Sequence, residues 1–267
     1  MGSFEFLFPA LIILVLSCVQ SVFGMGIFVF GTPTFLLLGY SFSETLGLLL
    51  PASFIISVAQ VALHKEYRPP VSKSLWVICL PAIGASLFIS ISADFVRSTY
   101  FMVACALFVA AAARMSPILK EKLRLIIQNN LATYHLGMGV LHGMTNMGGS
   151  LLGVMAATVH TEKVFARYIT AFYYLALVAV QIIVVIVSEG TQVFENGILY
   201  APIGLVIYLI VGNRLFRHVG NERFQSGMTG FLLLYAGILS LKWLDILSLK
   251  PLNKTIMSRF KLITDTK

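Results

Sequence analysis

The chain has 267 residues, 58% of them hydrophobic and only 11% charged, with a formal net charge of +8. A soluble domain carries about 25% charged residues. A mean hydropathy of +0.90 leaves too little polar material to cover a water-facing surface, which excludes a soluble domain and indicates an integral membrane protein.

In chain order, apolar segments fall at residues 6–40, 44–63, 75–92, 98–113, 131–159, 164–187, 198–211 and 228–247. An apolar run of about 20 residues crosses a hydrocarbon core roughly 30 Å thick. The first segment is not read as a secretory leader. Residues 1–6 carry Glu5 and no basic residue, and the apolar run is too long for such a leader. Cys18, Cys79 and Cys105 lie inside apolar spans at spacings that match no disulfide framework or metal motif, and are expected to be small core residues.

Segments 6–40 and 131–159 are longer than one crossing needs, and glycine interrupts both. The first holds Gly24-Met-Gly26 and Gly31-Thr-Pro33; the second holds Gly137-Met-Gly139 and the stretch His142–Ser150. Glycine lowers helix propensity and proline removes a helix donor, so both segments are expected to be broken helices. A shift of 118 residues lays Gly31 on Gly149, Thr32 on Ser150 and Glu44 on Glu162. The expected fold class is therefore an all-α polytopic membrane protein. It would comprise two four-segment repeats, each starting with a glycine-broken, re-entrant helix, the second repeat inverted. Residues 1–125 form the first repeat, 126–247 the second, and 248–267 a basic tail. Paired repeats with broken helices are the pattern of secondary transporters, whose sites lie between the repeats.

Charge supports the inverted arrangement. If each broken segment enters and leaves on one face, the loops with Lys65/Arg68/Lys73, Arg114/Lys120/Lys122/Arg124, Lys163/Arg167 and Arg214/Arg217/Arg223 share a face. Glu5, Glu44, Asp94, Glu189 and Glu195 then share the other, with Arg97 as its basic residue. By the positive-inside rule the basic face is cytoplasmic. The alternative, with eight single crossings and parallel repeats, divides the basic residues nearly evenly. It does place the basic tail on the cytoplasmic side, so the two arrangements stay open. Asp94 and Arg97 read as a local ion pair, and the basic loops as contacts to anionic lipid.

A helix N-terminus inside the membrane presents unsatisfied N–H groups and the positive end of the helix dipole, which together suit an anion. In the second break Gly148 and Gly149 would admit a small oxyanion to the backbone. Thr145, Asn146 and Ser150 would supply further hydrogen bonds; Gly31, Thr32 and Thr34 offer the corresponding set in the first. Gln60 and Gln181 are candidates for lining the path. His142 lies in the second break and is the candidate proton carrier, since histidine titrates near neutral pH. His135 is expected nearer a membrane face.

The stretch from Gly24 through Gly31-Thr-Pro-Thr to Gly39, then Glu44 and Pro51-Ala-Ser, resembles the first repeat of the TauE/SafE (TSUP, sulfite exporter-like) family. Gly139-Val-Leu-His-Gly143 through Gly148-Gly149-Ser-Leu-Leu, then Glu162 and Arg167, resembles that family's second glycine motif. The resemblance runs from about residue 6 to 247. The chain departs from it at Phe30-Gly31-Thr32, where the family often has adjacent glycines. The family implies a multi-pass protein of the bacterial inner membrane that exports sulfite, organosulfonates or related sulfur or carboxylate anions. Partners expected are the anion, the lipid bilayer and protons as coupling ion, with a homodimer left open; no cofactor, metal or nucleic acid is expected. Two other classes compete with this reading. A membrane scaffold or assembly factor would not need paired broken helices. An intramembrane hydrolase built on Ser150 would lack the Gly-x-Ser-x-Gly elbow.

Overall fold

The computed structural model describes residues 3–23, 25–67, 70–92, 96–159, 162–218, 229–230 and 233–244. The tail at 248–267 and Asp94, one half of the expected Asp94–Arg97 pair, lie outside the described residues. Helix is the only regular structure among those described.

The helices are α1 (Ser3–Phe23), α2 (Ile27–Leu37), α3 (Phe42–Leu63), α4 (Leu80–Ser92, entered through a wider turn at Leu75–Cys79), α5 (Val96–Met115) and α6 (Pro117–Asn129). Then come α7 (Leu131–Thr145), α8 (Gly149–Val159), α9 (Lys163–Glu189), α10 (Glu195–Ile207, extended by a wider turn at Tyr208–Gly212), α11 (Asn213–His218) and α12 (Leu233–Leu244). Among the described residues four spans are long and apolar enough to cross a membrane: Phe42–Leu63, Leu75–Ser92, Val164–Glu189 and Gln192–Gly212. A fifth is added if the pair Tyr100–Ala112 and Pro117–Asn129, bent by 96°, counts as one.

Local chemistry sets the boundaries. Ser41 and Glu44 close a capping box at the head of α3, the Ser41 hydroxyl accepting from the Glu44 N–H (3.2 Å) and the Glu44 carboxylate from the Ser41 N–H (2.7 Å). Glu44 thus starts a helix. Ser116 caps α6 with Pro117 as its first residue, and Asn130 caps α7 through the Thr133 N–H. α6 is absent from the apolar segments of the sequence, because its Lys120, Glu121, Lys122 and Arg124 suppress the hydropathy of Ile118, Leu123, Ile126 and Ile127.

Among the described residues the breaks fall at residues 25–26 and 146–148. Gly31-Thr-Pro33, expected to interrupt the first segment, lies inside α2, and Gly137-Met-Gly139 lies inside α7. Each stays helical because neighbouring helices pack on it. Gly31 is closed in by Leu16 and Leu49, and Gly139 lies against the Cys79 carbonyl. The element starts recur at other offsets than 118. From α2 to α8 the shift is 122 (149 − 27), and from α3 to α9 it is 121 (163 − 42). Gly31 is therefore not placed where Gly149 is, whereas Gln60 and Gln181, 121 apart, occupy matching positions in α3 and α9.

Residue pairs across the helix contacts give their directions. Ser43 meets Glu189 while His64 meets Arg167 and Tyr67 meets Phe165, so α3 and α9 are antiparallel. Gly47 abuts Val193, Gly197 abuts Gly47, Gly204 abuts both Ile56 and Ser17, and Gly212 abuts Ser21, so α3, α10 and α1 run parallel. Trp76–Phe172 and Gly84–Val180 make α4 parallel to α9; Ser74–His135 and Gly143–Ser86 make α7 parallel to α4. α2 folds back along α1, with Gly26 against Val19 and Gly31 against Leu16. α8 folds back along α7, with Gly148 against His142 and the Tyr134 hydroxyl donating to the Leu151 carbonyl (2.7 Å). At about 1.5 Å per residue, an 11-residue helix such as α2 or α8 covers only about half a hydrocarbon core. One end of the bundle gathers Glu44, Glu189 and Glu195; the other gathers Lys65, Lys73 and Arg167.

Candidate functional site

The second break is built around Asn146, the one described residue other than glycine with positive φ (59°, ψ 17°). Among side chains, asparagine tolerates this left-handed conformation well, and here it ends α7, its N–H donating to the His142 carbonyl (2.7 Å). The turn brings four polar side chains together inside an apolar bundle, so each must find a partner.

They form a chain with one direction. The Gly148 N–H can only donate, so His142 Nδ1 is an acceptor (3.2 Å) and its Nε2 carries the proton. Nε2 donates to Gln181 Oε1 (3.2 Å), Gln181 Nε2 to Asn146 Oδ1 (3.1 Å), and Asn146 Nδ2 to Thr32 Oγ1 (3.0 Å). His142, Asn146, Gln181 and Thr32 are all fully buried. The chain ties α2, α7 and α9 to the head of α8, joining the two broken segments through Thr32 and Asn146. Such chains polarise their members cooperatively.

The other candidates from the sequence lie nearby but outside this chain. The Thr145 hydroxyl donates to the Leu141 carbonyl and accepts from the Met147 N–H; the Ser150 hydroxyl donates to the Met147 carbonyl (2.9 Å). Thr34 donates to the Phe30 carbonyl and pairs with the Tyr235 hydroxyl (2.9 Å). The atoms nearest to where a Cβ at Gly31 would lie belong to the Leu16 and Leu49 side chains. Gly149 does approach something closely, since a Cβ there would overlap the Tyr174 hydroxyl. His135 is held between Ser74 (2.7 Å) and the Tyr173 hydroxyl (3.1 Å).

The first break carries a cluster of its own. Gly26, with φ at 146°, makes the turn into α2. Gln60 Nε2 donates to the Gln20 and Ser21 carbonyls (3.4 and 3.3 Å), which belong to the unsatisfied last turn of α1. Gln20 is bonded to Ser53 and Ser57. Gln60 and Gln181 thus share a position but differ in role. Gln60 caps a backbone, whereas Gln181 links side chains. Gln20, Ser53, Ser57 and Tyr174 are additions that the sequence motifs do not single out. A signal existed for the last. Arg167, Thr170, Tyr174 and Gln181 are spaced three, four and seven apart, a single stripe of α9, and all are buried.

A family model described as Sulfite exporter TauE/SafE matches residues 9–239, which is most of the chain. No curated protein and no solved structure matches it significantly.

Proposed function

We propose that this chain, which belongs to the sulfite exporter TauE/SafE family, is a secondary transporter that binds a small oxyanion where its two broken segments meet. The family supplies the coarse activity, anion transport across a membrane. The observation that carries the finer reading is the buried chain from Gly148 through His142, Gln181 and Asn146 to Thr32. A polar network of this size in an apolar bundle is costly unless it does something, and it lies at the N-terminus of α8, where a partial positive charge favours an anion.

The opposed directions of α3 and α9, and the folding back of α2 and α8, support an inverted duplication with re-entrant broken segments. The split between repeats is proposed near residues 125 and 126, within α6. The basic end then faces the cytoplasm of a bacterial cell by the positive-inside rule. A proton is the proposed coupling ion, carried by His142. Protonating Nδ1 would release the Gly148 N–H, so anion and proton would favour each other's binding. Sulfite, organosulfonates and small carboxylates are the proposed cargo.

The hydrolase reading has no support at Ser150, whose hydroxyl is turned to the Met147 carbonyl. A thermal-shift screen of purified protein against sulfite, sulfate, thiosulfate, sulfoacetate and small carboxylates tests the proposal. A ligand that binds the folded state raises its melting temperature. No shift with any of them would refute the reading.

A further inference from the structure

Tyr174 lies in the middle of α9 with its side chain fully buried, and its hydroxyl has no hydrogen-bond partner among the described residues. Leaving a phenol hydroxyl unpaired in an apolar interior is unfavourable, so buried tyrosines usually find a partner. The ring is held firmly. It stacks on Phe28 at 5.2 Å between centroids, with 16° between planes, and stands edge-on to His142 at 6.5 Å. The hydroxyl occupies the space a side chain at position 149 would fill, so it is delivered to the head of α8 because that residue is glycine.

The backbone there is poised in the same way. Gly148 donates to His142 and Ser150 to the Met147 carbonyl (3.2 Å each). Between them the Gly149 N–H opens an 11-residue helix and has no acceptor within it. A phenol donor and a helix-head donor therefore converge on one place.

The charge of this place is equally informative. Arg167 is the one charged residue among the buried described residues, and it lies two turns back along α9, about 10 Å by helix rise. Its guanidinium is engaged by the Tyr208 hydroxyl (3.4 Å) and the Phe216 ring (4.2 Å). While His142 is neutral, the site thus offers donors and a helix dipole worth about half a charge, with no full cation beside them. The cost of stripping water from an ion grows with the square of its charge, so a neutral set of donors discriminates against a dianion.

We propose that the Tyr174 hydroxyl and the Gly149 N–H at the head of α8 each hold an oxygen of the transported anion, and that this site takes singly charged oxyanions, such as sulfonates, in preference to doubly charged ones. This rests on the reading of the second break as the anion site. It adds a residue and a charge class to that reading.

The test uses the purified full-length protein with methanesulfonate and sulfate as probes, which do not titrate near neutrality, at a pH above the range in which His142 is proposed to take up its proton. Tyr174→Phe keeps the stacked ring and removes only the hydroxyl. The parent is expected to bind methanesulfonate more tightly than sulfate. The variant is expected to lose roughly ten- to a hundredfold in methanesulfonate affinity, the range for one hydrogen bond to a charged group. Without ligand it should melt at or above the parent's temperature, since an unpaired hydroxyl has been removed; a purely structural role would lower the melting temperature instead. A variant that binds methanesulfonate within about twofold of the parent overturns the role of Tyr174, while the anion site stands. Sulfate bound as tightly as methanesulfonate overturns the charge preference. A parent that binds neither these probes nor sulfite overturns the underlying reading and this inference together.

Discussion

Asn146 gives the sharpest test of the second break, because two substitutions there must rank in opposite orders under the two possible backbones. If residues 131–159 formed one continuous helix, Asn146→Ala would be more stable than Asn146→Gly by about 1 kcal/mol, the difference in helix propensity. In the structure Asn146 has φ 59° and ψ 17°. There alanine suffers the contact between its Cβ and the backbone, about 1–2 kcal/mol, and glycine does not. Both variants lose the bonds to Thr32 and from Gln181. Interhelical hydrogen bonds of this kind average about 0.6 kcal/mol in membrane proteins and reach about 1.7, so this loss should be roughly 1–3 kcal/mol. Asn146→Gly should therefore be destabilised by roughly 1–3 kcal/mol, and Asn146→Ala by about 1–2 kcal/mol more. Reversible unfolding in mixed detergent micelles measures both. Alanine more stable than glycine would refute the broken helix, and a glycine variant as stable as the parent would refute the network.

Gly149→Ala should displace the Tyr174 hydroxyl, whose place the new Cβ would take, lowering both melting temperature and anion affinity in a thermal-shift titration. His142→Gln should flatten the pH dependence of binding a non-titrating anion. In the parent, affinity should rise as pH falls from about 7.5 to 6, because protonating Nδ1 frees the Gly148 N–H; equal profiles would remove His142 from coupling. A single cysteine at Glu195 should react with impermeant thiol reagents outside intact cells, and one at Lys65 should not. The reverse pattern would contradict the proposed orientation.

The membrane class was legible because hydropathy depends on composition alone. The break at Asn146-Met-Gly148 was also legible, since asparagine tolerates the left-handed conformation that ends a helix and Gly148 follows it closely. The expected interruption at Gly31-Thr-Pro33 fails for the complementary reason. Close packing on Leu16 and Leu49 rewards a small residue inside a continuous helix, and glycine reads the same in either setting. The 118-residue shift fails with it, since it aligns a packing glycine with a helix start. His142, Asn146 and Gly148 stand out as polar or turn-forming residues in an apolar run. Their assembly with Thr32 and Gln181 depends on how α2 and α9 cross, which no local pattern encodes. Tyr174 shares a stripe of α9 with Arg167, Thr170 and Gln181, which the spacing shows, but only its neighbours show that its hydroxyl is unpaired among the described residues.

The central claim is that the chain moves a small oxyanion through the site between its broken segments. Purified protein in liposomes, loaded with unlabelled sulfite and given labelled sulfite outside, tests it most directly. The account predicts transient accumulation of label that competing sulfonates abolish and that Asn146→Gly weakens. Label entering no faster than into protein-free liposomes, for sulfite and for every sulfonate and carboxylate tried, would contradict it.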